Sequence, residues 1–283
     1  MKNTSKSLDL GWLGLVSLPE IPHNCTKLYC GYNQLTKLPD LPNCQYLDCD
    51  NNQLTTLPDL PNCQILYCGY NQLTKLPDLL NCNTLHCNQN KLTNLPNLPK
   101  CQQLYCYSNQ LTKLPYLPNC QKLYCRNNRL TTLPDLPNCQ ELYCSDNQLT
   151  TLPDLPNCQE LFCSNNQLTK LPDLPNCQRL YCSNNQLTAL PDLPNCQQLY
   201  CSDNPYLHIT KEQAERFDLQ ETPNYTTMAI RLQRRFRQRK KYIFLKSLQR
   251  HIDGFLSRPN NYLYYLAKQR FEKLLANASH CSS

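Results

Sequence analysis

The stretch CQELYCSDNQLTTLPDLPN, residues 139–157, decides the fold, because the chain repeats this pattern ten times with a step of 19 residues. Twenty of the 21 cysteines fall on two series with that step, one from Cys25 to Cys196 and the other from Cys30 to Cys201. An asparagine stands at the same place in every copy, from Asn33 to Asn204. A fixed period of this length is typical of a solenoid, in which each repeat packs on its neighbours.

The residue types within one copy predict what each repeat builds. In a short strand, Leu142 and Cys144 point to one side and Tyr143 points to the other. Pro153 and Pro156 fix φ and remove backbone donors, so the return arm is expected to be extended, polyproline-like chain. We therefore predict a repeat solenoid with one short parallel β-strand in each 19-residue repeat, followed by an α-helical tail.

The repeats share the pattern C-x-x-L-x-C-x-x-N-x-L-T-x-L-P-x-L-P-N. This unit resembles the leucine-rich repeats with an L-P-x-L-P return arm found in secreted effectors of pathogenic bacteria. Its cysteine-rich form, with 19 residues, is similar to repeat proteins that are abundant in giant amoebal viruses. The resemblance implies a binding platform, and it implies residence in the host cytoplasm if the protein is viral.

Four segments are expected along the chain. Residues 1–24 form a partial repeat and N-terminal cap, in which Leu13 follows the inward positions but stands where the asparagine belongs. Residues 25–207 form the ten repeats. Thr210 and Gln213 have the spacing of a capping box, which predicts a short helix through about Phe217 within a C-terminal cap at 208–222. Residues 223–283 form a basic helical tail.

The twenty inward cysteines allow three interpretations. Free cysteine packs well as a small apolar core residue, which is the interpretation we favour. Disulfides between adjacent strands and a thiolate metal site are the alternatives, but the C-x-x-x-x-C spacing without clustered histidine is unlike that of zinc sites. No secretory leader or membrane-spanning run is evident, so we expect an intracellular protein with reduced thiols and no cofactor.

The residue after each strand leucine is expected to point out of the concave sheet. Asp48 and His86 interrupt this series, and to neither do we assign a catalytic role. The aromatic members are the candidate partner-binding residues: Tyr29, Tyr67, Tyr105, Tyr124, Tyr143, Phe162, Tyr181 and Tyr200. Aromatic rings on a sheet favour an unidentified protein partner, and the alternative is that the rings only stack on one another to stabilise the sheet.

The tail carries a concentrated positive charge. From residue 206 onward there are 15 Lys and Arg against six Asp and Glu, a net of about +9. The candidate binding residues are the basic ones of its first predicted helix: Arg231, Arg234, Arg235, Arg237, Arg239, Lys240 and Lys241. Basic amphipathic helices bind calmodulin-like proteins, nucleic acid or anionic membranes, or are simply solvated.

Catalysis is not expected. Five glycines in the whole chain leave no glycine-rich phosphate loop, and Cys281 beside His280 is interpreted as an ordinary terminal thiol. The sequence therefore predicts a non-enzymatic scaffold that binds a protein on its tyrosine-lined face. In the alternative, the tail does the binding and the repeats are a passive spacer.

Overall fold

The computed structural model describes residues 6–217, which form one eleven-stranded parallel sheet with its strands in sequence order. Each strand has three residues with a leucine in the middle, and ten of the eleven follow one another at the 19-residue step. The strands are β1 Ser7–Asp9, β2 Lys27–Tyr29, β3 Tyr46–Asp48, β4 Ile65–Tyr67, β5 Thr84–His86, β6 Gln103–Tyr105, β7 Lys122–Tyr124, β8 Glu141–Tyr143, β9 Glu160–Phe162, β10 Arg179–Tyr181 and β11 Gln198–Tyr200. The predicted solenoid with one strand in each repeat is confirmed.

The N-terminal segment adds a further strand to the sheet with one extra residue. Leu8 pairs with Leu28, a step of 20, whereas Leu123 pairs with Leu142 at the ordinary step. The predicted inward placement of Leu13 is wrong, because its side chain is 59% exposed. Leucine at this position has no amide to bond with neighbouring carbonyls, so only its backbone N–H bonds inward, to the Asn33 side chain.

The core consists of the leucine columns and both cysteine columns, and all twenty described cysteines are buried and unbridged. In every repeat the thiol of the first cysteine donates a hydrogen bond to the carbonyl of the residue two positions on, over 3.1–3.4 Å. A leucine at this position has no such donor. The cysteines therefore act as core residues that also bond to the strand backbone.

The repeated asparagine joins each repeat to the one before it. The Asn185 amide donates to the carbonyls of Cys163 at 3.0 Å, Cys182 at 3.1 Å and Ser183 at 3.3 Å. Its oxygen accepts from the backbone N–H of Leu168 at 3.0 Å. Backbone groups inside a solenoid must find partners, and this side chain provides them at every turn. The preceding residue takes a left-handed conformation, with φ near 54° at position 184.

Helix α1, Lys211–Phe217, follows the last strand. The predicted capping box is present, since the Gln213 N–H donates to the Thr210 hydroxyl and the Thr210 N–H donates to the Gln213 side chain. Arg216 donates to the carbonyls of Pro194 and Cys196, which attaches the helix to the last repeat. The boundary of the cap at residue 222 stays a prediction, and the tail at 223–283 lies outside the described residues.

The candidate protein-binding face

The candidate site is the outward side of the sheet, which we call the sheet face. It consists of the two residues flanking each strand leucine and the residue after the second cysteine. Every strand leucine from β2 to β10 is buried, while its two neighbours are at least partly exposed. All eight aromatic residues predicted from the sequence lie on this face, because the strand alternation turns them away from the leucine core.

The aromatic rings form one continuous column along the face. From Tyr67 to Tyr200, neighbouring ring centroids are 4.0–4.5 Å apart. Tyr46 belongs to the column in place of Asp48, with its centroid 4.9 Å from Tyr29 and 5.7 Å from Tyr67. Contacts of this kind are each worth about 0.5–1.5 kcal/mol, so the column stabilises the sheet. The strand residues that carry these rings remain partly exposed, so part of each ring is open to a partner.

Ion pairs neutralise the middle of the face. The Lys122 ammonium lies 2.8 Å from a Glu141 oxygen, and the Tyr124 hydroxyl donates to the other oxygen of that carboxylate. One repeat further, Glu160 accepts from the Tyr143 hydroxyl at 2.6 Å and pairs with an arginine, Arg179.

These contacts explain the titration of the central groups. Burial raises the pKa of Tyr143 to about 12, and its hydrogen bond to Glu160 adds to this. Partial burial acts to raise the pKa of Glu141, but hydrogen bonds from Lys122 and Tyr124 outweigh it and lower that pKa. The hydroxyls of Tyr124 and Tyr143 are therefore already engaged within the protein.

The face is different near its N-terminal end, where two carboxylates lie among the rings. Asp48 stands at the aromatic position of β3, and Asp50 follows two residues later. Asp50 accepts from the Gly69 N–H, and an oxygen of Asp48 accepts from the Asp50 N–H at 3.2 Å. Burial raises the pKa of Asp48, and it raises that of Asp50 to about 6.

His86 sits inside the aromatic column, with centroid distances of 4.4 Å to Tyr67 and 4.0 Å to Tyr105. Burial lowers its pKa to about 4, so the imidazole is neutral at pH 7. Among residues 6–217, no group of three or more His, Cys, Asp or Glu side chains is arranged to hold a metal ion. His86 acts here as one more ring of the column.

A second surface, which sequence reasoning missed, is a groove lined wholly by side-chain amides. Its volume is about 390 Å³, and it is lined by Gln140, Asn157, Gln159, Asn176, Gln178, Asn195 and Gln197. The asparagines of this groove each donate to a proline carbonyl of the preceding repeat, as Asn176 does to Pro156 at 2.8 Å. Uncharged amides exposed to water offer neither a nucleophile nor a general base.

Sequence reasoning also missed Asp50 as a residue of the sheet face. The available signal was glycine: Gly31 and Gly69 occupy the same repeat position as Asp50 in the repeats on either side. A Cβ at Gly31 would lie 2.9 Å from an Asp48 oxygen, so the absence of a side chain at Gly31 makes room for the Asp48 carboxylate. The predicted basic residues from Arg231 to Lys241 lie outside the described residues.

The comparisons agree with this architecture. A model for leucine-rich repeats in two copies matches residues 118–157, 137–176 and 156–195. YopM, a leucine-rich effector protein from Yersinia pestis, is 37% identical over 72% of this chain and 65% of its own, with a TM-score of 0.64. YopM from Yersinia enterocolitica WA-314 is 32% identical over 72% of this chain and 53% of its own, with a TM-score of 0.57. No curated protein sequence gives a significant match.

These matches identify the class of the fold as a leucine-rich-repeat solenoid similar to those of bacterial effectors. The chain spans less than two thirds of either YopM chain, so the similarity concerns the repeats. Nothing in the matches supports the expected similarity to giant amoebal virus proteins, which stays an expectation.

Proposed function

We propose that this protein is a non-catalytic scaffold that binds a partner protein on its sheet face. The observation that carries the proposal is the continuous aromatic column, mounted on a sheet whose every repeat is bonded to the next. A surface held rigidly before binding loses little conformational freedom when a partner docks. Tyrosine adds contact area and a polar hydroxyl with few rotatable bonds, which suits such a surface.

The setting that we propose is the interior of a host cell. The similar YopM chain is described as an effector protein, and reduced thiols suit an intracellular compartment. Within residues 6–217, the structure has no helix long and apolar enough to cross a membrane. The twenty buried thiols are left unbridged in this proposal and serve packing and the backbone hydrogen bonds of the first cysteine in each repeat.

The test is capture of partners from host-cell lysate under reducing conditions, with the full chain as bait. The face variant replaces Tyr124, Tyr143 and Phe162 with alanine. The matched control replaces Asp135, Asp154 and Asp173, which lie on exposed return arms of three successive repeats. Circular dichroism verifies that both variants are folded. A partner that is lost with the face variant and kept by the control supports the proposal.

Retention of every partner by a folded face variant would contradict it. The alternative, in which the basic tail binds a calmodulin-like protein or an anionic phosphate surface, predicts a different outcome. Partners would then be lost when Arg231, Arg234 and Arg235 are replaced with alanine. Raising the salt concentration would also release them steeply if phosphate is the ligand.

A further inference from the structure

The two halves of the sheet face differ in their charge balance. In the C-terminal half, Glu141 and Glu160 are each paired with a cation and with a tyrosine hydroxyl. Asp48 and Asp50 lie in the N-terminal half, and neither belongs to any of the three ion pairs found among residues 6–217. Two half-buried carboxylates there have no cation to balance them.

The surroundings of these carboxylates are aromatic and apolar. Burial raises the pKa of Tyr46 and of Tyr67, and the negative charges of Asp48 and Asp50 add to both shifts. Partly exposed Ile65 lies directly beside Tyr46, its partner in the register of β3 and β4. We call Tyr46, Asp48, Asp50, Ile65 and Tyr67 the aspartate patch.

The repeats themselves also set this half apart. The match to the leucine-rich-repeat model covers residues 118–195, where successive repeats are nearly uniform. In the patch, the order of the polar and the aromatic strand residue is reversed. In β3 the tyrosine, Tyr46, precedes the leucine and the carboxylate, Asp48, follows it, whereas in β8 Glu141 precedes the leucine and Tyr143 follows it. Gly31 and Gly69 flank Asp50 at its repeat position, and at both glycines a Cβ would crowd a neighbouring side chain. The missing side chain at Gly31 thus leaves room for the Asp48 carboxylate, and the missing side chain at Gly69 leaves room for the Asn88 amide.

We infer that the aspartate patch binds an extended segment of the partner protein that presents an arginine or lysine. The cationic group would lie between the two carboxylates, with its stem against Ile65 and the rings of Tyr46 and Tyr67. Charge complementarity selects this occupant. Among the sheet-face residues of the repeats that carry β1–β4, there are three acids, Asp9, Asp48 and Asp50, and one cation, Lys27. Paired carboxylates form charge-assisted hydrogen bonds with a guanidinium, and aromatic rings attract a cation that has lost water.

This inference rests on the proposed function and specifies where on the sheet face the partner docks and through what chemistry. It adds a charged contact near the N-terminal end of the sheet face to the central aromatic contacts of Tyr124 and Tyr143, whose hydroxyls are engaged internally. A desolvated charge left without a partner costs free energy, and a partner's cation would remove that cost on binding. Rim charges such as Lys27 would contribute far less.

The test is fluorescence anisotropy with the purified full chain and a labelled peptide of alternating arginine and serine. Its control peptide has citrulline in place of arginine, which keeps the shape and removes the charge. The patch variant is Asp48→Asn with Asp50→Asn. The matched protein control is Asp59→Asn with Asp78→Asn, which removes the same charge from exposed return arms. We expect the patch variant to bind the arginine peptide about tenfold more weakly or worse, and the affinity of the control variant to change less than about twofold.

Equal weakening by both double variants would reduce the effect to general electrostatic attraction and overturn the inference. Equal binding of the citrulline peptide would overturn it as well. The capture experiment separates this failure from that of the broader proposal. A patch variant with full peptide affinity, alongside a face variant that loses its partner, leaves the protein-binding function standing and removes only the basic-segment site.

Discussion

Replacing Asn185 with alanine tests the hydrogen bonds that join successive repeats. Its amide oxygen accepts the hydrogen bond of the Leu168 N–H, and that leucine is fully buried. Leaving this N–H without an acceptor costs about 1–3 kcal/mol, and losing the amide bonds to the carbonyls of Cys163 and Cys182 adds about 1 kcal/mol each. We expect a total loss of about 3–5 kcal/mol in the free energy of unfolding.

Asn176 provides the matched control, because it is an exposed asparagine of the neighbouring repeat with one hydrogen bond, to the Pro156 carbonyl. Asn176→Ala should cost at most about 1 kcal/mol. Asn185→Asp should cost more than Asn185→Ala at pH 7, since a carboxylate would face three carbonyl oxygens. Acidification should reduce that excess by protonating the carboxylate.

The assay is urea unfolding of the reduced protein, followed by far-ultraviolet circular dichroism. A lower midpoint with an unchanged slope reports a loss of stability, while a shallower slope reports that the two sides of the altered interface unfold separately. The reasoning would be refuted if Asn185→Ala and Asn176→Ala shifted the midpoint equally. It would also fail if Asn185→Asp were as stable as the parent at pH 7.

Three further predictions concern single sites. Burial raises the Asp50 pKa from 3.8 to about 6, so protonation of this carboxyl favours the folded state, and its contribution to stability is lost as pH rises through about 6. Asp50→Asn should therefore raise the free energy of unfolding by about 1–2 kcal/mol at pH 8 and leave it unchanged below pH 3.8; equal gains at both pH values in urea unfolding would contradict this. All twenty core cysteines are buried and burial raises the pKa of each; that of Cys101 rises from 9.0 to about 12, which lowers its thiolate fraction at pH 8 about a thousandfold. A Cys281→Ser variant should therefore leave Ellman's reagent almost unreacted until urea is added, and rapid reaction of the native protein would disprove the packing that we describe. Gln89 is exposed and has a left-handed φ of 54°, which asparagine adopts more readily than glutamine. Gln89→Asn should therefore stabilise the protein by about 0.5–1 kcal/mol and raise its thermal midpoint, and a lowered midpoint would argue against strain at this turn.

The fold was predictable because ten copies repeat one pattern, and agreement among ten copies does not arise by chance. Leu13 was placed wrongly because its neighbours follow the apolar spacing, and only the missing amide distinguishes a bonded interior position from an exposed one. The side of the sheet on which the eight predicted aromatic residues lie followed from strand alternation, but the place of Tyr46 in the column did not. The bond from Tyr124 to Glu141 did not, since it joins residues 17 apart and depends on how far the tyrosine leans toward the next repeat. Alternation shows which side a residue faces, but not which neighbour it touches.

The uncompensated acid of Asp50 was equally hidden in the sequence. An aspartate that directly follows the second cysteine of a repeat is interpreted from the sequence as a solvated surface residue. Burial raises the Asp50 pKa, and the carboxylate accepts a hydrogen bond from the Gly69 N–H of the next repeat, a contact that no local pattern signals. Charge pairing is likewise decided between repeats, since Lys122 and Glu141 lie 19 residues apart at the same position of successive repeats.

The glycines at 31 and 69 have a consequence for how the chain finds its alignment during folding. Repeats as alike as those from 139 to 195 could pair one whole turn out of step and keep nearly every hydrogen bond, leaving only a looped-out segment as the penalty. The carboxylate of Asp48 fits over Gly31, and the amide of Asn88 fits over Gly69, whereas at most turns the same position carries a side chain that would collide with them. These fits mark individual turns as distinct. If folding starts in the N-terminal half, it therefore starts where each repeat fits only its own neighbours. The uniform repeats then pack onto repeats whose alignment is already fixed.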